Sequence, residues 1–123
     1  MTKPLALIIE DDRKLADIFS LALRSAEFET EVVHDGAQAL TRLAAVVPAI
    51  VVLDMHLPHV SGKQILGQIQ ADERFAQTRV IIATADALIA EDLRDDTDLV
   101  LLKPVSVTQL RDMASRLRPS PLH

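Results

Sequence analysis

The chain has 123 residues, a formal net charge of −5, 2% aromatic residues and no cysteine. That length suits one domain with a proper core, while disulfides, thiolate metal sites, stacking-based RNA recognition and a basic nucleic-acid footprint lack the residues they need. No segment approaches the roughly 20 apolar residues that cross a bilayer, and the N-terminal apolar run is too short for a signal peptide, so a cytoplasmic protein is expected.

The first apolar run, LALII (5–9), does not alternate and reads as a strand buried on both faces. Glu10, Asp11 and Asp12 follow it, and Asp12 is read as a helix cap. Leu15, Ile18, Phe19, Ala22, Leu23 and Ala26 then repeat at helical spacing. ETEVVH (29–34) is a weaker, more exposed strand near an edge, with His34 as a surface residue at its end. Asp35 caps a second helix with the stripe Ala37, Leu40, Leu43, Ala44 and Val47, stopped by Pro48.

AIVVL (49–53) is again a buried strand, and it runs into Asp54. A charge at the end of a buried run costs free energy unless something binds it. Ser61 and Gln64 form a capping-box frame before Ile65, Leu66 and Ile69. VIIA (80–83) is the fourth strand, with Thr84 behind it. Residues 86–96 are acid-rich with a thin apolar face, so a short or mobile helix is expected, and the acids from Glu91 to Asp98 read as a solvated face. LVLL (99–102) precedes Lys103 and Pro104. Ser106 and Gln109 then open a last helix carrying Val107, Leu110, Met113, Ala114 and Leu117. Residues 1–118 are expected to form the domain, and 119–123 a disordered tail.

Strand and helix alternate five times, which predicts a doubly wound α/β sandwich with right-handed crossovers. Sites in open parallel sheets form outside the carboxyl ends of the strands. Glu10, Asp11, Asp54, Thr84 and Lys103 all occupy such ends. Singly, each has a plain reading as a turn acid, a β-branched strand residue or a loop lysine. Jointly they are a chemical set. Asp11 and Asp54 are hard oxygen ligands suited to Mg²⁺, and Glu10 is suited to hold a metal-bound water. With the Lys103 cation and the Thr84 hydroxyl, such a site suits phosphoryl transfer to Asp54 as nucleophile. Zinc on His56 and His59 is disfavoured, because Pro58 separates them and no further His or Cys lies at useful spacing.

The motifs IIEDD (8–12), VVLDMHLPHVSG (51–62), IIATA (81–85) and LLKPV (101–105), in this order and separation, resemble those of response-regulator receiver domains, the chemotaxis-regulator-like kind among them. The resemblance covers essentially the whole chain. It implies a flavodoxin-like (βα)5 sandwich with a five-stranded parallel sheet in the order 2-1-3-4-5. It implies that Asp54 is the phosphoacceptor, with Thr84 and Lys103 beside it. Mg²⁺ would be held by Asp11, Asp54, the His56 backbone carbonyl and, through water, Glu10. It also implies a cis Lys103–Pro104 peptide, a turn through Pro58 and Gly62 that launches the third helix, and a water route flanked by His56 and Asp86. The implied partners are a histidine kinase or histidine phosphotransfer domain as donor and a downstream effector as recipient, with no direct nucleic-acid or membrane contact. Such a domain is not a metabolic enzyme, though it assists its own phosphorylation and dephosphorylation.

Two departures from the family pattern stand out. Val100 occupies a position where relatives usually carry Tyr or Phe, and the segment from Thr84 to Lys103 is shorter by nearly one helical turn. The chemistry reads as intact and the readout as altered. Signalling by reordering of residues 85–98, rather than by rotation of an aromatic ring, is therefore expected. Two rival readings are a receiver-like binding module that works without phosphate and a Mg²⁺-dependent phosphohydrolase with an Asp nucleophile. The latter often places a second acid two residues after the first, where this chain has His56.

Overall fold

A computed structural model describes residues 2–119; the remainder of the expected tail, 120–123, lies outside the described residues. The elements are β1 (Leu5–Ile9), α1 (Arg13–Ser25), β2 (Glu29–Val33), α2 (Gly36–Ala45), β3 (Ile50–Asp54), α3 (Gly62–Ala71), β4 (Arg79–Thr84), α4 (Ala87–Leu93), β5 (Leu99–Leu102) and α5 (Val107–Leu117). The strands form one parallel sheet in the order β2-β1-β3-β4-β5, as expected.

The central strands are covered by helices on both sides, which is why their sequences are unbroken apolar runs. Ala6, Ile8, Ile50, Val52, Ile81 and Ala83 face α1 and α5, where Phe19, Leu23, Leu110 and Ala114 are buried. Leu7, Ile9, Val51, Leu53, Val80 and Ile82 face the other way, against Ala39 and Leu43 of α2 and Ile65, Leu66 and Ile69 of α3. On the edge strand β2 only Val33 is fully buried. No helix among the described residues is long and apolar enough to cross a membrane.

The anticipated caps are made, except that Ser106 and Gln109 form only the first half of the capping box their spacing suggests. The Asp12 carboxylate accepts the Lys14 and Leu15 N–H groups, Asp35 accepts that of Gln38, and Ser106 accepts that of Gln109. Ser61 and Gln64 complete both halves of a capping box.

Some expectations need correction. The buried face of α2 is Gly36, Ala39 and Leu43; Ala37 and Ala44 are exposed, and α2 ends at Ala45, leaving Val47 exposed beyond it. Pro48 disfavours helical geometry at Val47, so the helix must stop earlier. The Arg74 guanidinium donates to the Leu43 carbonyl at 2.8 Å and the Ala44 carbonyl at 3.4 Å, supplying partners that the last turn lacks. Arg74 belongs to an unanticipated 3-10 turn, Glu73–Phe75, capped by Asp72. Ile18 and Val107, assigned to apolar helix faces, are 38% exposed.

The acids before β5 are not simply solvated. Asp98 Oδ2 accepts the Val80 N–H at 2.7 Å, its Oδ1 accepts from Arg79 at 3.1 Å, and Gln70 Nε2 donates to the Asp96 carbonyl at 2.9 Å. The short α4, seven residues, is as expected, but its exit is tied to α3 and β4.

Candidate functional site

Register brings the site together. Ile9 pairs with Leu53, so Glu10 and Asp54 leave neighbouring strands side by side. Asp54 pairs with Ala83, which puts Thr84 one step further along β4. Thr84 pairs with Leu102, and the Lys103 N–H donates to the Thr84 carbonyl at 2.8 Å. The Lys103–Pro104 peptide is cis.

Lys103 Nζ lies 2.8 Å from Glu10 Oε1 and 3.5 Å from Asp54 Oδ1. Glu10, Asp11 and Asp54 each offer a carboxylate oxygen, all within 4.8 Å of one another. Glu10 and Asp54 are buried, while Asp11 is open to solvent at the mouth of the cluster. Asp54 Oδ1 accepts the His56 N–H at 3.1 Å, and Glu10 Oε2 accepts that of Asp12 at 3.2 Å.

The loop after β3 can fold back closely because residue 62 is glycine. A Cβ there would stand 2.5 Å from the Asp54 carbonyl oxygen and 2.6 Å from the Met55 Cα. Thr84 is fully buried, and its hydroxyl oxygen accepts the Asp86 N–H at 3.1 Å. Of the two residues expected to flank a water route, the His56 side chain is exposed, whereas the Asp86 carboxylate is occupied in capping α4 through Leu88 and Ile89.

The electrostatics follow from burial. Desolvation raises Glu10 to about 7, against the lowering effect of the Lys103 bond and the Asp12 N–H. Desolvation also raises Asp54, only partly offset by the His56 N–H and the Lys103 charge. At Asp11 burial pushes upward too, but hydrogen bonding with Glu10 and Asp54 outweighs it and the net direction is down. Burial pulls Lys103 down; its bond to Glu10 and the Asp54 charge reverse this, so its ammonium is held charged. Three carboxylates against one ammonium leave surplus negative charge in a half-buried place. A proton or a divalent cation relieves it, and the all-oxygen donor set with one open member fits Mg²⁺.

A stability prediction comes from Glu10. Its native pKa, about 7, exceeds the ordinary 4.5. Between those values the native state binds more protons than the unfolded one, so stability falls as pH rises through the window. The melting temperature of the metal-free domain is expected to drop between about pH 5 and about pH 7.5, and Glu10→Gln to flatten that drop. A Glu10→Gln profile as steep as wild type would contradict the assignment.

Sequence reasoning placed Glu10, Asp11, Asp54, Thr84 and Lys103 on one edge, and the structure brings them there. It left out His34, whose Nδ1 lies 3.1 Å from the Glu10 carbonyl oxygen. The signal was available in the register: Val33 pairs with Ile9, so His34 stands beside Glu10.

Fold and site together define a class: a flavodoxin-like α/β domain that gathers an acidic pocket and one lysine at the carboxyl edge of its sheet. The chain belongs to the response regulator receiver domain family, whose model matches residues 6–115, and it is a receiver domain of the two-component kind. It is similar to the DNA-binding response regulator MtrA of Mycobacterium tuberculosis, 30% identical over 104 residues that cover 85% of this chain and 46% of the relative. The DNA-binding dual master transcriptional regulator RpaA of Synechocystis is 30% identical over 118 residues, 94% of this chain and 48% of RpaA. The chain thus spans about half the length of these curated relatives. Among solved structures, the bacteriophytochrome response regulator RtBRR superposes with a TM-score of 0.81 at 27% identity, covering 95% of this chain and 78% of that one.

Proposed function

We propose that Asp54 accepts a phosphoryl group from a histidine kinase or histidine phosphotransfer domain, and that the resulting acyl phosphate switches the grip of this domain on a downstream effector. The observation that carries this reading is the Lys103 ammonium 3.5 Å from a buried Asp54 carboxylate, inside a cluster of three acids. A carboxylate oxygen of Asp54 attacks phosphorus. The bond from phosphorus to the donor histidine nitrogen breaks, and its electron pair leaves with that nitrogen. Lys103 balances charge on the transferring oxygens, and the Thr84 hydroxyl donates to one of them.

Asp11, Asp54 and the His56 backbone carbonyl would hold Mg²⁺, with Glu10 reaching it through water. The ion supplies charge neutralisation for the phosphoryl oxygens. Residues 1–118 are the functional unit, working in the cytoplasm, and its catalysis is confined to its own phosphorylation and dephosphorylation. The DNA binding named for MtrA and RpaA is a property of those longer proteins. The net charge of −5 supports a role for this domain without direct nucleic-acid contact.

Val100 and the short α4 favour the rival reading of a phosphate-independent binding module; the complete acid–lysine set disfavours it. Intact mass after incubation with a small acyl phosphate and Mg²⁺ separates the two. Wild type is expected to gain one phosphoryl group, and Asp54→Asn or added chelator to abolish the gain. His56→Ala should keep the gain but alter its decay. Wild type without any gain would leave the binding-module reading.

A further inference from the structure

We infer that His34 is a positioning residue for the metal-binding acids, acting through the peptide that carries Asp11; this rests on the Mg²⁺ site proposed above. The ladder between β1 and β2 makes its last rung where the Glu10 N–H donates to the Val33 carbonyl at 3.1 Å. Asp11 lies beyond that rung, outside β1 and before α1, and its side chain is exposed. The peptide joining Glu10 to Asp11 therefore needs another anchor.

His34 supplies it. Its Nδ1 lies 3.1 Å from the Glu10 carbonyl oxygen, which belongs to that peptide. On the other side of the ring, Arg13 Nη1 lies 3.4 Å from Nε2. A carbonyl oxygen only accepts and a guanidinium only donates. Both contacts are satisfied together by one arrangement alone: the hydrogen on Nδ1, and a bare Nε2 facing Arg13. Arg13 thus selects the tautomer that can clamp Glu10. The backbone that carries the ring is held as well, because the His34 main-chain N–H donates to Gln38 Oε1 at 3.1 Å in the first turn of α2. The chain of contacts runs from α2 through His34 to the plane of the Glu10–Asp11 peptide, and so to the orientation of both acids.

Removing a hydrogen bond that orients a ligand from behind typically weakens metal binding by about tenfold or more. His34→Ala is expected to raise the Mg²⁺ dissociation constant, measured by calorimetry on the unphosphorylated domain, by about tenfold. His34→Asn should bring it back close to wild type, since the asparagine amide nitrogen occupies nearly the place of Nδ1. His34→Gln, whose amide lies further out, should not. A purely structural role would lower the melting temperatures of the Ala and Gln variants without moving their metal affinity. Wild-type affinity in His34→Ala, or an Asn variant as weak as Ala, overturns the inference while leaving the Mg²⁺ site standing. Should His34→Ala fail to fold, equal affinity of the Asn and Gln variants overturns it instead. Absence of Mg²⁺ binding by the wild type would remove the site itself and the inference with it.

Discussion

Lys103→Met is expected to take up phosphoryl from a small donor about 10²- to 10³-fold more slowly than wild type, while retaining the fold. Lys103 is the one cation within ion-pair distance of Glu10 and Asp54 among the described residues. Its loss acts twice. The transferring oxygens lose a fixed positive charge in a partly desolvated place, where charge counts for more than it does in water. Burial already raises Asp54, and loss of Lys103 removes one of the charges that oppose that rise. Time courses of mass gain at saturating donor and Mg²⁺ read the effect directly. A Met variant phosphorylated at the wild-type rate would mean that the ammonium stabilises the resting protein and not the transfer.

Gly36→Ala is expected to destabilise the domain by about 3 kcal/mol. A Cβ at residue 36 would stand 2.1 Å from the Val60 carbonyl oxygen and 2.6 Å from the Val60 Cβ. Neither is the loose end of a flexible side chain, so the loop after β3 must move. That loop is held close by the Gly36 N–H, which donates to the Pro58 carbonyl at 3.3 Å, and His59 turns it with a φ of 70°. Displacing it also disturbs His56, so Mg²⁺ affinity should fall together with stability. Gly67→Ala is the matched control: nothing lies within 4 Å of its Cβ, and it sits in the interior of α3. There the substitution should stabilise by about 0.5–1 kcal/mol through helix propensity. Urea unfolding distinguishes the two; a Gly36→Ala midpoint equal to wild type would show that the loop is not locked against α2.

The fold could be read from the chain because its central strands are buried on both faces and therefore carry unbroken apolar runs. Once parallel strands are granted, chain-distant Glu10, Asp54, Thr84 and Lys103 must meet at one edge, which is why the site was readable as well. What escaped notice depends on partners far away in sequence. The end of α2 is set partly by Arg74, thirty residues on. Asp98 looks like one more surface acid until β4 supplies the Val80 N–H. On α2, Leu40 and Leu43 meet the core as expected, while Ala37 and Ala44 do not, because alanines line both faces and give periodicity little to discriminate. The expected reordering of residues 85–98 also narrows. Residues 96 and 98 are tied to Gln70, Arg79 and Val80, which leaves only residues 85–95 for such a reordering, and there Ala90 is buried and Ile89 and Leu93 pack against the core.

The central claim is that the carboxylate of residue 54 becomes a mixed anhydride with phosphate. Borohydride reduction of the phosphorylated domain, followed by peptide mass mapping, tests it most directly, since hydride converts an aspartyl phosphate to homoserine and leaves free carboxylates alone. Homoserine at position 54, and at no other acid, is the predicted result. Homoserine at Asp11 or elsewhere, or none in a protein that has gained the phosphoryl mass, would contradict it.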